Sequence, residues 1–231
     1  MLSRRLICTN PSEFSDARIV TFLNPYSLLQ IHQSDVDLTK FDKICIDGIA
    51  LKLFLDKVFG GTSIDRMSFD FTSVAHLVFE NAATASQHGF ILGSDSDSNH
   101  AFLTKVSEMF PGIKLEGRSG YFDNDAALTD CINSLSASDY DFVVIGMGAV
   151  KQEEVAIKLK ESGFRGRIYT CGGFIHQTAL NGGEYYPAWV DKLNLRFAYR
   201  MFKEPSTIKR YLLDYPKSFI LLTRNIKNFE H

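Results

Sequence analysis

Short apolar runs that alternate with helical stretches constrain the fold of this chain more than any other feature of its sequence. Each run is rich in β-branched and aromatic residues and is short enough for a strand buried on both faces. The six predicted strands are residues 18–23, 43–46, 89–93, 113–116, 142–145 and 167–171. Because such alternation is typical of βαβ units, the sequence predicts an α/β fold with a parallel, Rossmann-like sheet flanked by helices.

The strand at 142–145 is followed by a turn that could bind a ligand. Gly146 and Gly148 allow a tight turn because they carry no Cβ, and helical apolar spacing begins near Val150. Gln152 falls in the first helical turn, at the sheet edge where free N–H groups and the helix dipole converge. A plain strand–turn–helix is the alternative. A third glycine at the spacing of a dinucleotide fingerprint is missing.

Polar residues also follow the other predicted strands. Asn24 comes directly after the first strand and Asp47 directly after the second. Partial desolvation at the mouth of the sheet would raise the proton affinity of Asp47, which suits a general base. The alternative is that Asp47 is the N-cap of the next helix. After the third strand, the turn at Gly93 offers backbone N–H donors to a phosphate.

Three further features are candidates for the same site. Arg66 lies beyond the helix that follows Asp47 and could reach a diphosphate, with an exposed surface arginine as the alternative. His176 follows the sixth strand and is expected at the same edge. Asp95 and Asp97 match the Asp-x-Asp pattern of metal-dependent sugar-nucleotide enzymes, but they begin a helix, where Asp is a favoured cap. The absence of a Gly-x-Ser-x-Gly elbow and a Walker loop disfavours serine hydrolases and P-loop kinases.

The end of the chain differs from the rest in both pattern and charge. Strand–helix alternation stops near residue 183, and three helices are predicted after it, at 187–203, 206–214 and 218–229. Residues 189–231 carry nine Lys and Arg against four Asp and Glu, a net of +5 in a chain whose total is −2. We therefore predict an α/β body at 1–183 and a basic helical C-terminal appendage at 184–231. Such an appendage suits phosphate groups or anionic lipid, with a solvated helical face as the alternative.

Several classes of protein are disfavoured by the sequence. No apolar segment approaches the roughly 20 residues that span a bilayer. The pair Arg4-Arg5 is not followed by the apolar stretch of an export signal. The four cysteines form no Cys-x-x-Cys pair and predict reduced core thiols rather than disulfides or a zinc site. These observations predict a cytoplasmic protein.

Together the motifs resemble the WecG/TagA/CpsF glycosyltransferase family of bacterial surface-polysaccharide assembly. Any one motif is weak, but the matches keep their order along nearly the whole chain. They are Asn24-Pro25, Asp47-Gly48, Asp65-Arg66 with Asp70, Leu92-Gly93, Phe110-Pro111-Gly112, Gly117 to Gly120-Tyr121-Phe122, Gly146-x-Gly148, Lys151-Gln152-Glu153, Gly172-Gly173-Phe174, Pro187-x-Trp189, Tyr199-Arg200 and Glu204-Pro205.

The resemblance implies an inverting transferase that moves a sugar, N-acetylmannosamine or a related one, from a UDP-sugar to a polyprenyl-diphosphate-linked glycan. It implies no metal or other cofactor. Asp47 would be the base that deprotonates the acceptor hydroxyl. The other residues carried over to the substrate-binding site are Asn24, Arg66, Gly93, Gly146, Gly148, Gln152, Gly173 and His176. The appendage would supply arginines over the diphosphate, with Arg200, Arg210 and Arg224 as candidates.

The resemblance also implies a place for the enzyme, peripheral on the inner face of the cell membrane. There the appendage would contact an anionic surface through basic and aromatic side chains. No nucleic-acid partner is expected, and homo-oligomerisation is left open.

The chain departs from the family pattern around the pocket. Val150 stands where the family usually has Pro, and His176 stands where an Asp is associated with nucleoside recognition. Tyr185-Tyr186-Pro187 replaces Arg-Ala-Pro, and Arg196-Phe197 replaces Glu-Trp. The donor sugar is therefore left open. A non-catalytic partner subunit that binds a glycosyltransferase or a lipid-linked glycan is the alternative, and a dinucleotide-dependent oxidoreductase ranks last.

Overall fold

The sheet has the predicted parallel α/β architecture. The computed structural model describes residues 3–14, 16–60, 63–181, 190, 196–203 and 207–225. The strands are β1 Ile19–Leu23, β2 Lys43–Ile46, β3 His88–Gly93, β4 Lys114–Arg118, β5 Phe142–Gly146 and β6 Arg167–Thr170. Their order across the sheet is β2-β1-β6-β5-β3-β4, and every neighbouring pair is parallel. The predicted strands are confirmed, with ends that differ by at most two residues.

Helices cover both faces of this sheet. They are α1 Pro25–His32, α2 Ile49–Val58, α3 Val74–Thr84, α4 Ser96–Met109, α5 Asp125–Ser136, α6 Lys151–Glu161, α7 Phe174–Asn181, α8 Arg196–Lys203 and α9 Tyr215–Asn225. Apolar residues of α1, α2, α5, α6 and α9 pack on one face, and those of α3, α4 and α7 pack on the other. Val143 joins the first cluster and Val144 the second, as the period of two in a strand requires. Burial on both faces explains the continuous apolar runs in the sequence.

The outer edge of β2 is covered by two segments that the sequence interpretation missed. Ile7 forms a parallel bridge with Ile44, and Arg66 forms one with Ile46. Residues 63–70 were predicted as a short polar piece, which is wrong in part, because Ile64 and Met67 are buried beside the sheet. Covering an edge strand protects its backbone groups. It also fixes Arg66 beside Ile46, the last residue of β2, which Asp47 follows directly.

The C-terminal helices differ from the prediction. Helical structure continues from Thr207 to Asn225 through a π-helical turn at Arg210–Asp214, so the predicted break between 214 and 218 is wrong. Pro216 lacks an N–H group and would clash with the carbonyl four residues earlier in an α-helix, and a wider π turn relieves both problems. Of the predicted helix at 187–203, the structure shows α8 at Arg196–Lys203, and 187–189 and 191–195 lie outside the described residues.

Helix α9 packs against the α/β body. Leu222 is buried in the same cluster as residues of α1 and α2, and the rings of Phe54 and Phe219 lie 5.3 Å apart. The division of the chain near residue 183 remains a prediction, but the described part of the C-terminal segment shares its core with the body.

Two smaller expectations concern the cysteines and the membrane. All four cysteines are buried and free, as predicted. Within the described ranges, no helix combines the length and apolar character needed to cross a bilayer.

Candidate functional site

A large cleft of about 1650 Å³ runs along the carboxyl edge of the sheet. The chain leaves β3 toward β4 and leaves β5 toward β6, so the direction of the connections reverses between these two neighbouring strands. Such a reversal is where open α/β sheets bind ligands. Nine of the twelve predicted site residues line the cleft: Asn24, Asp47, Arg66, Gly146, Gly148, Gln152, Gly173, His176 and Arg210.

The other three predicted residues lie differently. Gly93 is not part of the lining, but the next residue, Ser94, is. Arg224 is exposed on α9 and is absent from the cleft lining that the described residues form. Arg200 belongs to α8, and its side chain lies outside the description.

Asp47 lies where β2 ends and α2 has not yet begun. Its backbone N–H donates to the carbonyl oxygen of Leu23 at 2.8 Å, which ties the ends of β1 and β2 together. The N-cap of α2 is Gly48, with φ of +101°, and as a glycine it has no side chain to cap the helix. The alternative role of Asp47 as an N-cap is therefore wrong. Asp47 lies one residue before the N-cap and lines the cleft.

Two predicted site residues, Asn24 and Arg210, lie near the end of β1. The Oδ1 atom of Asn24 accepts from the Ser27 N–H at 3.0 Å, and the Ser27 hydroxyl oxygen accepts from the Asn24 N–H at 2.9 Å. This capping box fixes the orientation of the Asn24 side chain. Beside it, the guanidinium carbon of Arg210 lies 4.0 Å from the ring centroid of Tyr26. A cation–π contact thus holds this predicted arginine at the cleft.

The carboxyl ends of β3 and β5 approach each other closely because each ends in glycine. A Cβ on Gly93 would lie 2.7 Å from the carbonyl carbon of Gly146, and one on Gly146 would lie 2.8 Å from the sulfur of Cys171. The two glycines are paired across the strands, and the Ser94 N–H donates to the Gly146 carbonyl at 3.2 Å. Gly148 differs, because a Cβ there would meet nothing within 4 Å and only its φ of +83° favours glycine. Gly146 and Gly148, which line the cleft, carry no side chain and let a phosphate group approach their backbone closely.

A buried carboxylate lies in the first turn of the helix that follows β5. Glu153 is fully buried, and its oxygens accept hydrogen bonds from Gln152 Nε2 at 2.7 Å, Val150 N–H at 2.8 Å and Thr21 Oγ1 at 3.0 Å. Burial raises the pKa of the Glu153 carboxyl group, and the hydrogen bonds from Gln152 and Thr21 oppose that rise. Sequence reasoning missed this role. A Glu at the third helical position resembles a capping box, but the N-cap is Val150 rather than Ser or Thr.

Gln152 is held from both ends. Its Oε1 atom accepts from the Gly172 N–H at 2.9 Å, and its Nε2 atom donates to Glu153. The side chain lines the cleft but is almost completely buried. Direct contact of Gln152 with a substrate stays a prediction, and the observed contacts join two turns of the cleft.

His176 is part of a hydrogen-bonded series with Ser98 and Asp95. The Ser98 hydroxyl donates to Asp95 Oδ2 at 2.7 Å, and His176 Nδ1 lies 3.1 Å from the same hydroxyl oxygen. Asp95 is the N-cap of α4, and hydrogen bonds from the backbone and side chain of Ser98 lower its pKa to about 2. The capping alternative therefore describes Asp95 correctly. The part of the chain that the structure describes contains no group of three or more His, Cys, Asp or Glu residues arranged to hold a metal ion.

Two other residues of the cleft region were not singled out from the sequence as site residues. Tyr121, in the loop after β4, lines the cleft and is 74% exposed, so its ring is open to a ligand. Asn99 is buried and donates from Nδ2 to the carbonyl oxygens of Gly93 at 3.0 Å and Arg118 at 2.9 Å, which ties the ends of β3 and β4 together. Tyr121 belongs to a motif quoted for the resemblance. Asn99 had no signal, because an Asn inside a helix carries no local pattern.

The fold and the cleft define an open-sheet α/β protein with a ligand site at the carboxyl edge of its strands. Comparison with known proteins then gives the family, because the family model described as "Glycosyl transferase WecG/TagA/CpsF family" matches residues 7–231. The chain belongs to this family and is a glycosyltransferase. The resemblance and the enzyme class predicted from the sequence are confirmed.

Two curated relatives show the range of the family. The chain is 34% identical over 204 residues to the UDP-Gal:alpha-D-GlcNAc-diphosphoundecaprenol beta-1,4-galactosyltransferase of Shigella boydii, which covers 87% of this chain and 84% of the relative. It is 25% identical over 139 residues to the N-acetylglucosaminyldiphosphoundecaprenol N-acetyl-beta-D-mannosaminyltransferase of Bacillus subtilis (strain 168), which covers 60% of this chain and 53% of the relative.

Proposed function

We propose that this glycosyltransferase moves a hexose or an N-acetylhexosamine from a UDP-sugar to a polyprenyl-diphosphate-linked glycan, with inversion at the anomeric carbon. The observation that carries the proposal is the position of Asp47 in the same cleft as two glycine-rich turns and two arginines. The names of both relatives support it, since each specifies a diphosphoundecaprenol-linked GlcNAc substrate and a β-configured product, and one specifies UDP-Gal.

The donor diphosphate would lie over the turns that follow β5 and β6. Gly148 and Gly173 expose backbone there, at the N-termini of α6 and α7. Backbone N–H groups and the helix dipole favour the negative charge that grows on the leaving UDP. Arg66 and Arg210 line the same cleft and would add fixed positive charge. The proposal assigns this stabilisation to protein groups and includes no metal ion.

Asp47 would act as the general base. Its carboxylate takes the proton from the acceptor hydroxyl while that oxygen attacks the anomeric carbon from the face opposite the diphosphate. The bond from this carbon to the acceptor oxygen forms as the bond to UDP breaks, and the electron pair leaves with the diphosphate. A β-linked product from an α-linked nucleotide sugar follows from this inversion.

The acceptor places the enzyme at a membrane, and we propose peripheral attachment on the cytoplasmic face. Support comes from apolar side chains exposed on the C-terminal segment, above all Phe202, which is 82% exposed, together with Leu213. The net charge of +5 in residues 189–231 adds attraction to anionic lipid.

We expect the double variant Phe202→Ser with Leu213→Ser to sediment less with anionic vesicles than the wild type. Leu53→Ser, at an exposed position on α2, is the matched control. If the double variant sediments with vesicles no less than this control, the attachment is contradicted.

A transfer assay tests the proposed reaction. The purified chain is incubated with GlcNAc-diphosphopolyprenol and, separately, with UDP-galactose, UDP-N-acetylmannosamine or UDP-N-acetylglucosamine. We expect one of these donors to give a β-linked disaccharide product, at a rate that EDTA does not change. Absence of product with every donor, together with absence of UDP binding, would contradict the proposal.

A further inference from the structure

We propose that Glu153 is a positioning residue that holds the two turns over which the donor diphosphate lies. It acts on one turn through the backbone of Val150 and on the other through the side chain of Gln152. The inference rests on the proposed function, because it takes the β5 and β6 turns as the donor site. Glu153 touches no substrate and has no part in the chemistry assigned to Asp47.

The hydrogen bonds around an ionised Glu153 run in one direction. The Thr21 hydroxyl donates to Glu153 at 3.0 Å, so in the 2.9 Å contact between the two threonines Thr170 is the donor. Thr170 in turn accepts from the Phe22 N–H, which lies 3.3 Å from its hydroxyl oxygen. In this form the carboxylate accepts every one of its hydrogen bonds, from Thr21, Gln152 and Val150.

One oxygen of Glu153 accepts a hydrogen bond from the backbone of the turn after β5. Val150 has φ of +75° and ψ of −62°, a strained conformation for a β-branched residue. Its N–H donates to Glu153 Oε2 at 2.8 Å. This bond holds Val150 in that conformation and so fixes the direction in which the chain enters α6.

The other oxygen extends the restraint to the turn after β6. Glu153 Oε1 accepts from Gln152 Nε2, which turns Gln152 Oε1 toward the Gly172 N–H, at 2.9 Å. Simple helix capping would use one oxygen and would leave the other in solvent. Here both oxygens are buried, and together they join the turns at Gly148 and Gly173, which both line the cleft.

Replacing the carboxylate by an amide should break this link selectively. In Glu153→Gln, one acceptor oxygen can still serve Thr21 and Gln152, but an NH₂ group then faces the Val150 N–H, and two donors oppose each other. Val150 loses its restraint and relaxes from the strained conformation. Glycine at position 150 adopts a positive φ without a steric penalty, so Val150→Gly should restore the turn in the Glu153→Gln background.

The experiment measures the affinity for UDP by calorimetry in the wild type, Glu153→Gln, Val150→Gly and the double variant. We expect Glu153→Gln to bind UDP about 10- to 100-fold more weakly, the range for a lost hydrogen bond to a charged group. Val150→Gly should bind within about threefold of the wild type, and the double variant should recover most of the loss. In steady-state assays the KM for the donor should rise while the KM for the acceptor stays unchanged. Thr21→Val is the control that leaves the Val150 and Gln152 contacts in place, and its UDP affinity should stay near that of the wild type.

The outcomes separate this inference from the proposed function. If the wild type binds UDP and Glu153→Gln binds it equally well, the positioning role is wrong and the proposed function stands. Failure of Val150→Gly to recover affinity would equally overturn the role. A wild type that binds neither UDP nor a UDP-sugar would instead remove the proposed function. If Glu153→Gln does not fold, Glu153→Asp, whose shorter side chain cannot serve both turns, replaces it with the same expected loss and the same rescue.

Discussion

Substituting alanine for Gly93 would place a methyl group against the backbone of the neighbouring strand. The added Cβ would lie 2.7 Å from the carbonyl carbon and 2.9 Å from the Cα of Gly146. This backbone cannot move away cheaply, because β3 and β5 are paired up to these two residues. Overpacking costs about 1–3 kcal/mol, and the φ of +154° adds backbone strain on the order of 1–3 kcal/mol. We therefore expect Gly93→Ala to lower the free energy of unfolding by about 2–6 kcal/mol.

Equilibrium unfolding in urea, followed by far-UV circular dichroism, measures this change. Gly148→Ala is the matched control, because Gly148 lies in the same region with φ of +83° but a Cβ there would meet nothing within 4 Å. The control should lose about 1 kcal/mol, from the backbone conformation alone. If Gly93→Ala costs no more than Gly148→Ala, the close approach of β3 and β5 at their carboxyl ends is refuted.

Two further predictions concern charged groups of the site. Arg210→Ala should raise the KM for the donor or the acceptor about 10-fold or more, because a charge-assisted contact with the substrate is lost. Arg224→Ala is the control, because Arg224 is absent from the cleft lining that the described residues form, and it should change the same KM less than about twofold. Comparable effects in steady-state kinetics would contradict the assignment of Arg210. Asp95→Ala should lower the Tm near neutral pH, because the Ser98 hydrogen bonds depress the pKa of this carboxyl group from 3.8 to about 2. Since the pKa is lower in the folded state, this stabilisation is present above pH 4 and is lost as the pH falls toward 2, so the Tm difference from wild type should shrink over that interval. A difference independent of pH would show that the carboxylate charge is not involved.

Local pattern was sufficient to predict the strands and the sheet class. The runs at 43–46 and 142–145 are apolar and flanked by polar or glycine residues, and each matches its strand to within one residue. The strand order could not be read from the sequence. Placement of β6 between β1 and β5 depends on how the helices pack over both faces, which no local period encodes.

The site was predictable where a polar residue lies directly after a strand or within the next few residues. The carboxyl ends of parallel strands meet at one edge, so Asn24, Asp47 and His176 were expected to converge, and all three line the cleft. The role of Glu153 could not be predicted in the same way. Its partner Thr21 lies 132 residues away in the sequence, and the pairing of β1 with β6 places Thr170, which contacts Thr21, beside it.

Some errors came from a competing physical effect. A break was predicted between 214 and 218, next to Pro216, but a π turn accommodates this proline and the helix continues. The residues at 185–187 that differ from the family pattern lie outside the described residues, so their effect on donor choice stays a prediction.

The central claim is that Asp47 is the base of sugar transfer, and the turnover of Asp47→Asn tests it most directly. Turnover is measured with the accepted UDP-sugar and GlcNAc-diphosphopolyprenol, and UDP affinity is measured on the same preparation. Asparagine keeps the size of the side chain but cannot accept the proton, so we predict a loss of turnover of about 10²- to 10⁴-fold with UDP affinity unchanged. Near-full turnover in a folded, UDP-binding Asp47→Asn variant would contradict the claim.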